Sequence, residues 1–301
     1  MDLPEDFARR MVEVHGAAGG AWVAQLPALL AACAARWELA VGPPFPGLSY
    51  NYVAPATRAD GTPVVLKVGV PGRELLTEIA ALQLYEGQGM VQLLAADRAQ
   101  GALLLERLQP GTPLVQLADD EAATIIAAGV MRQLWRPVPP DHIFPTVAAW
   151  AAGLDKLRAH FGGTTGPFPA PLVAAAETLF AELLASQAAP VLLHGDLHHY
   201  NILTAARAPW LAIDPKGLVG EPAYEVGALL RNPLPQFLAA PAPARRMARR
   251  IDLLAEALGL DRARIRGWAF AQAVLSAWWS YEDHGHGWEP AIACATLLAD
   301  V

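Results

Sequence analysis

Residues 192 to 217 read LLHGDLHHYNILTAARAPWLAIDPKG. His194, Asp196, His198 and His199 fall within six residues, and Asp214 follows a short apolar run. Two chemistries suit such a set. Histidines and carboxylates that converge on one point can hold zinc for hydrolysis. H-x-D-x-H-H offers ligands for that, but His15, His142, His160, His284 and His286 are scattered and no second cluster completes the site. In the other chemistry, Asp196 and Asn201 form D-x-x-x-x-N, with His194 two residues before the acid. This spacing lets the Asp196 carboxylate meet an acceptor hydroxyl as base. The Asn201 carboxamide, about one turn of chain later, then reaches a metal on nucleotide phosphates. Asp214, at the end of WLAID, supplies a second hard oxygen ligand of the kind magnesium prefers. His194 suits a hydrogen-bonding role in the loop better than that of a base. His198 and His199 read as structural or rim residues.

Phosphoryl transfer also needs a cation on the nucleotide, and the first third of the chain has the elements to position one. YNYVAPAT and PVVLKVGV are β-rich runs around the turn RADG, a hairpin that places Lys67 on its second strand. RELLTEIAALQLYEGQG is helical and stopped by Gly87 and Gly89. It carries Glu78 as the partner that orients Lys67, with Glu74 a weaker candidate one turn earlier. No G-x-G-x-x-G precedes Lys67; in its place PGLSYNYV offers Gly47, Ser49, Asn51 and backbone amides to cover phosphates. MVQLLAADRAQGALLLERL reads as two more strands. ALLLERLQPG has the form of a hinge whose backbone at Glu106 and Leu108 can bond an adenine edge. Before all this, WVAQLPALLAACAARWEL is helical, with Pro27 in an early turn.

Beyond residue 108 helices dominate. DDEAATIIAAGVMRQLWR is capped by Asp119 or Asp120 and stopped by Pro137; TVAAWAAGLDKLRAHF and PLVAAAETLFAELLASQ follow, and helices resume from 221 to the end. The fold class expected is α+β, with residues 1–107 a nucleotide-binding lobe (helical start, then a small antiparallel sheet plus one helix). Residues 108–301 are expected to form a mostly helical catalytic and substrate-binding lobe. Within it SAWWSYEDHGHGWEP gathers Trp279, Glu282 and Asp283, acids beside an aromatic face that suit a guanidinium or ammonium group. A helix end with core tryptophans is the plainer account of the same residues.

Composition narrows the classes. The chain has 301 residues, 54% hydrophobic and 17% charged, with net charge −7. That supports a large core and argues against disorder and against a nucleic-acid footprint. The one basic cluster, Arg245, Arg246, Arg249 and Arg250, has helical spacing and reads as a solvated face. Cys33 and Cys294 make neither a metal spacing nor a disulfide framework. The apolar stretches read as interrupted before the ~18 residues a membrane span needs, which points to a cytoplasmic protein with no membrane partner.

LLLERLQPGTPL, LLHGDLHHYNIL and WLAIDPKGLVGEPAYEVGALLRNP together resemble the aminoglycoside phosphotransferase family, in its streptomycin 6-phosphotransferase and hydroxyurea phosphotransferase branch. The resemblance runs from about residue 40 to 235, with D-P-K-G-L-V-G-E the branch-specific segment. It implies a bilobal protein-kinase-like fold and transfer of the ATP γ-phosphoryl to a hydroxyl of a small molecule such as an aminoglycoside. It also implies Asp196 as base, Asn201 and Asp214 on magnesium, and Lys67 on nucleotide phosphates with Glu78 behind it. No matching substrate motif follows residue 240, so kinases of amino alcohols, sugars or hydroxyurea-like compounds remain alternatives. A nucleotide-binding pseudokinase is an alternative of another class.

Overall fold

The computed structural model describes residues 3–301, which divide into two compact units, Met1–Gly111 and Thr112–Val301. The N-terminal unit opens with α1, Glu5–Trp37, which kinks at Gly16. Pro27 lies well inside this helix, not in an early turn. No charged residue falls between Gly16 and Ala35. Contrary to the sequence expectation, α1 is therefore long and apolar enough, by length and composition, to cross a membrane. Here its Phe7, Met11, Trp22, Leu26, Leu30 and Cys33 pack against the sheet.

That sheet comprises β1 Leu39–Val41, β2 Tyr52–Arg58, β3 Pro63–Val68, β4 Leu93–Asp97 and β5 Ala102–Glu106. The strands are antiparallel in the order β1-β2-β3-β5-β4. Side chains alternate across a strand, so Leu66 and Val68 of β3 join the α1 core while Lys67 faces the other way. On that face Lys67 meets α2, Arg73–Tyr85. Leu75, Ile79, Leu82 and Tyr85 form the buried stripe of α2, and Glu78 is the acid within it.

β6, Pro110–Pro113, spans the division between the units, and a 3-10 turn, Leu114–Gln116, then precedes α3, Asp120–Leu134, in the C-terminal unit. Asp119 is the cap of α3, accepting from the Glu121 and Ala122 amides. The TVAAWAAGLDKLRAHF segment is two helices, α4 Val147–Ala151 and α5 Gly153–His160, followed by α6 Ala170–Ala185. Four short strands come next: β7 Val191–Leu193, β8 Ile202–Ala205, β9 Trp210–Ala212 and β10 Leu218–Gly220. The chain closes with α7 Pro222–Arg231, α8 Gln236–Ala239, α9 Pro243–Leu258, α10 Arg262–His284 and α11 Glu289–Asp300. α10 is buried on most of its circumference, from Ile265 to Trp278, as expected of a helix that neighbours wrap. Glu221, just before α7, is tied to α10 by Arg264 (two contacts of 2.5 Å) and the Trp268 indole (2.6 Å).

The strands decide where the chemistry goes. β7 pairs with β10, Leu193 opposite Leu218, and β8 pairs with β9, Ile202 opposite Ala212. The turn 194–201 joins β7 to β8 and the turn 213–217 joins β9 to β10. Antiparallel registers therefore bring these two turns to the same end of the strands. Of the basic cluster on α9, Arg245 and Arg249 are exposed as expected, and Arg250 departs from that solvated face. Arg250 is buried, bound to Asp120 and to the carbonyls of Leu229, Leu230 and Asn232, because α9 packs on α3.

Candidate active site

The turn after β7 is held from two sides. Glu225 of α7 is buried and accepts from the His194 amide (2.6 Å) and the Gly195 amide (3.0 Å). Burial pushes its carboxyl up to about 7, against the pull of these two amides. Gly195 has φ 88°, and a Cβ there would stand 3.1 Å from the Trp150 ring and 3.2 Å from the Lys216 Cβ. Glycine meets both the left-handed backbone and the lack of space.

His194 is fully buried. Its Nδ1 accepts the Asp196 amide (3.2 Å), so Nε2 carries the proton and donates it to the Ile213 carbonyl (2.8 Å). Desolvation lowers its pKa to about 4, which keeps the ring neutral. His194 thus clasps the turn bearing Asp196 to the strand end bearing Asp214, as a positioning residue. The clasp is doubled on the backbone: the Ile213 amide donates to the Asn201 carbonyl (2.9 Å) and the Lys216 amide to the His194 carbonyl (2.8 Å).

Asp196 keeps 32% of its side chain accessible, enough to meet a substrate hydroxyl. Burial raises its pKa, but the charges of His198, Arg231 and Lys216 outweigh this and hold the carboxyl below its ordinary range. His198 Nε2 lies 3.6 Å from Asp196 Oδ2, while its Nδ1 accepts the Tyr200 amide (3.2 Å). Asn201 donates from Nδ2 to the Asp196 carbonyl (3.0 Å), which directs its oxygen, a hard ligand, the other way. Asp214 adopts φ 61°, a left-handed conformation rare outside glycine and enriched at functional sites. One carboxamide oxygen and one carboxylate fit a magnesium ion whose remaining ligands come from phosphate and water.

The histidines do not converge as a zinc cage. His194 is clasped, His198 faces Asp196, and His199 is buried. Neither ring nitrogen of His199 has a partner within the protein. Among the described residues no group of three or more His, Cys, Asp or Glu is gathered for a metal.

In the N-terminal unit Lys67 Nζ and Glu78 Oε1 are 2.6 Å apart with both side chains buried. Glu74 is exposed. Ser49 is exposed on the loop between β1 and β2, which Arg10 grips at the Leu48 carbonyl (2.5 Å). Asn51 turns back onto the sheet: its Oδ1 lies 2.1 Å from where a Cβ on Gly69 would be. The Glu106 amide donates to the Gln92 carbonyl (2.9 Å), so it is not open to a ligand; Leu108 is buried. In the C-terminal unit Trp278 is buried among Phe161, Phe168 and Tyr281, a core residue. Trp279 stands edge-on to Trp150 (5.1 Å, 83°), whose ring abuts Gly195. Glu282 and Asp283 are exposed on the last turns of α10. Sequence reasoning missed Glu225, Arg231 and Trp150. A glutamate within the apolar run AYEVGALL was the signal available for the first.

The architecture is shared with a choline/ethanolamine kinase family protein from Mesorhizobium loti (TM-score 0.67, 15% identity, 93% of this chain and 95% of that one). The fold is the protein-kinase-like one, a small antiparallel-sheet unit followed by a mostly helical unit. The family model for aminoglycoside/hydroxyurea antibiotic resistance kinase matches residues 36–284. A streptomycin 6-kinase of Streptomyces glaucescens is 34% identical over 291 residues, covering 97% of this chain and 94% of that one. A hydroxyurea phosphotransferase of Kitasatospora aureofaciens is 35% identical over 286 residues, covering 94% and 81%. The chain belongs to the aminoglycoside/hydroxyurea antibiotic resistance kinase family: it is an ATP-dependent small-molecule kinase, an enzyme rather than a pseudokinase.

Proposed function

We propose that this kinase moves the γ-phosphoryl of ATP to a hydroxyl of streptomycin or a closely related aminoglycoside, in the cytoplasm, with Asp196 as base. The carrying observation is the His194 clasp, which makes Asp196, Asn201 and the strand end of Asp214 one rigid constellation. The streptomycin 6-kinase relative, alike over nearly the whole chain, supplies the acceptor class.

In a nucleotide-binding lobe of residues 1–107, Lys67 takes the α- and β-phosphates and Glu78 aims it. Ser49 and Asn51 cover the phosphates, and the backbone at Glu106 and Leu108 meets the adenine. In a catalytic and substrate-binding lobe of residues 108–301, Asp196 orients the acceptor hydroxyl and receives its proton as the new P–O bond forms and the β–γ bridging oxygen leaves with ADP. A carboxyl held below its ordinary pKa is a weak base, so catalysis rests on positioning and electrostatics more than on proton abstraction. Asn201 and Asp214 would hold magnesium, which supplies charge neutralisation on the phosphates. Trp279, Glu282 and Asp283 take a cationic group of the acceptor.

Hydroxyurea is the second reading, on the strength of the hydroxyurea phosphotransferase relative; amino alcohols and sugars complete the panel. The protein is incubated with Mg-ATP and each acceptor, and the products are weighed for the gain of one phosphate. Streptomycin is expected to have the highest kcat/KM. A higher value for another acceptor replaces it, and ATP turnover on none of them removes the acceptor assignment altogether.

A further inference from the structure

Lys216 has no task in the reading above, which this inference extends. It stands two residues after Asp214, where its amide and that of Gly217 donate to the His194 carbonyl (2.8 and 3.3 Å). The turn bearing Lys216 is therefore pinned against the turn bearing Asp196. Its Cβ lies 3.2 Å from where a Cβ on Gly195 would stand, with the Trp150 ring at 3.1 Å from the same point. The root of the lysine side chain thus packs against the backbone one residue before Asp196, and the missing side chain of Gly195 makes room for it. The residue is half-buried, its Cβ is held by the pinned turn, and its positive charge is felt at the Asp196 carboxyl.

A cation rooted here has a use. Asp196 and Asp214 put two carboxylates beside an ATP chain that is itself strongly anionic, and charge on the moving phosphoryl has to be met by preorganised donors. Lysine, a compact point charge on a flexible stem with three donors, suits an oxygen that shifts during transfer.

We propose that Lys216 is a catalytic residue of the transfer step, its ammonium donating to a non-bridging oxygen of the γ-phosphoryl group. The bond from γ-phosphorus to the β–γ bridging oxygen breaks, its electron pair leaving with ADP. The acceptor oxygen bonds to phosphorus and its proton passes to Asp196. Lys216 keeps its proton throughout.

The test measures transfer from Mg-ATP both to streptomycin and to water, as phosphate release, so that it reads with or without the right aminoglycoside. Lys216→Met should lose about 100-fold or more in kcat. Its KM for ATP should change less than about threefold, and its melting temperature should match the parent. Lys216→Cys, purified folded and alkylated with 2-bromoethylamine, rebuilds the ammonium on a lysine-length stem; Cys33 and Cys294 are buried and spared. That adduct should recover most of the rate, and the uncharged iodoacetamide adduct should not. Equal recovery by both adducts, or a Lys216→Met enzyme within about threefold of the parent while Asp196→Ala is inactive, overturns the role of Lys216. An active Asp196→Ala instead overturns the underlying assignment of the base. Should Lys216→Met not fold, the two adducts decide alone.

Discussion

At the scale of single residues, both ring nitrogens of His194 are engaged by the backbone, one accepting from Asp196 and one donating to Ile213. A group so engaged cannot exchange protons with substrate, which supports the proposed role of Asp196 as base. Asp196→Ala should bind ATP as the parent does and lose about 10³-fold in kcat; isothermal titration and a coupled assay read the two properties separately. Glu225→Gln keeps the shape but replaces an acceptor oxygen with an NH2 that faces a backbone amide. Strong loss of kcat with near-parental KM for ATP is expected, because the Asp196 turn moves while the N-terminal unit is untouched. Parental kcat in this variant would show that the turn holds without α7. His194, Asp196, Asn201 and Asp214 were legible in the sequence because turns carry their spacing locally. Glu225 and Trp150 were not, because they reach the turn from elements 31 and 45 residues away in the chain (225 − 194 and 195 − 150).

At the scale of elements, α2 and β3 are tied by the buried pair Lys67–Glu78. Removing Glu78 takes a counter-charge 2.6 Å away from a buried ammonium, so Glu78→Leu should cost roughly 3–5 kcal/mol. Lys67→Met with Glu78→Leu should cost much less, since an apolar pair replaces an ionic one without leaving an orphan. Denaturant unfolding of the two variants tests this, and equal losses would mean that the pair is not isolated from its surroundings. The hairpin β2–β3 and α2 were readable because alternation and turn residues specify them locally. The break between α4 and α5 and the strands β8 and β10 were not. Three- and four-residue strands carry too few alternations to announce themselves, and they exist because partners pair with them.

At the scale of the molecule, three buried groups set the pH dependence of stability. His194 at about 4 and His199 at about 3 lie below the unfolded value of 6.5. As pH falls below 6.5 the unfolded chain takes up protons that the folded one refuses, so each histidine lowers stability until its folded pKa is passed. Glu225, at about 7 against 4.5 unfolded, acts the other way: protonation of the folded form adds stability as pH falls from 7 to 4.5. Two losses against one gain leave a net loss of stability by pH 4.5. The melting temperature should fall between pH 6.5 and 4.5. His199→Leu, which removes a ring with no partner to forfeit, should flatten that fall; an unchanged slope would show that His199 is protonated in the folded state.

The sequence by itself determined the class of chemistry and the order of its parts. A base, a carboxamide and a strand-end acid within one short stretch are local facts, as is a lysine on an alternating strand ahead of a helical glutamate. Only the tertiary structure decided that α1 packs its apolar face on the sheet, that Arg250 leaves the solvated face to bind Asp120, and that the Lys216 Cβ packs beside Gly195. Burial and charge pairing depend on which elements are brought together, and that follows from packing the whole core, which no local pattern encodes.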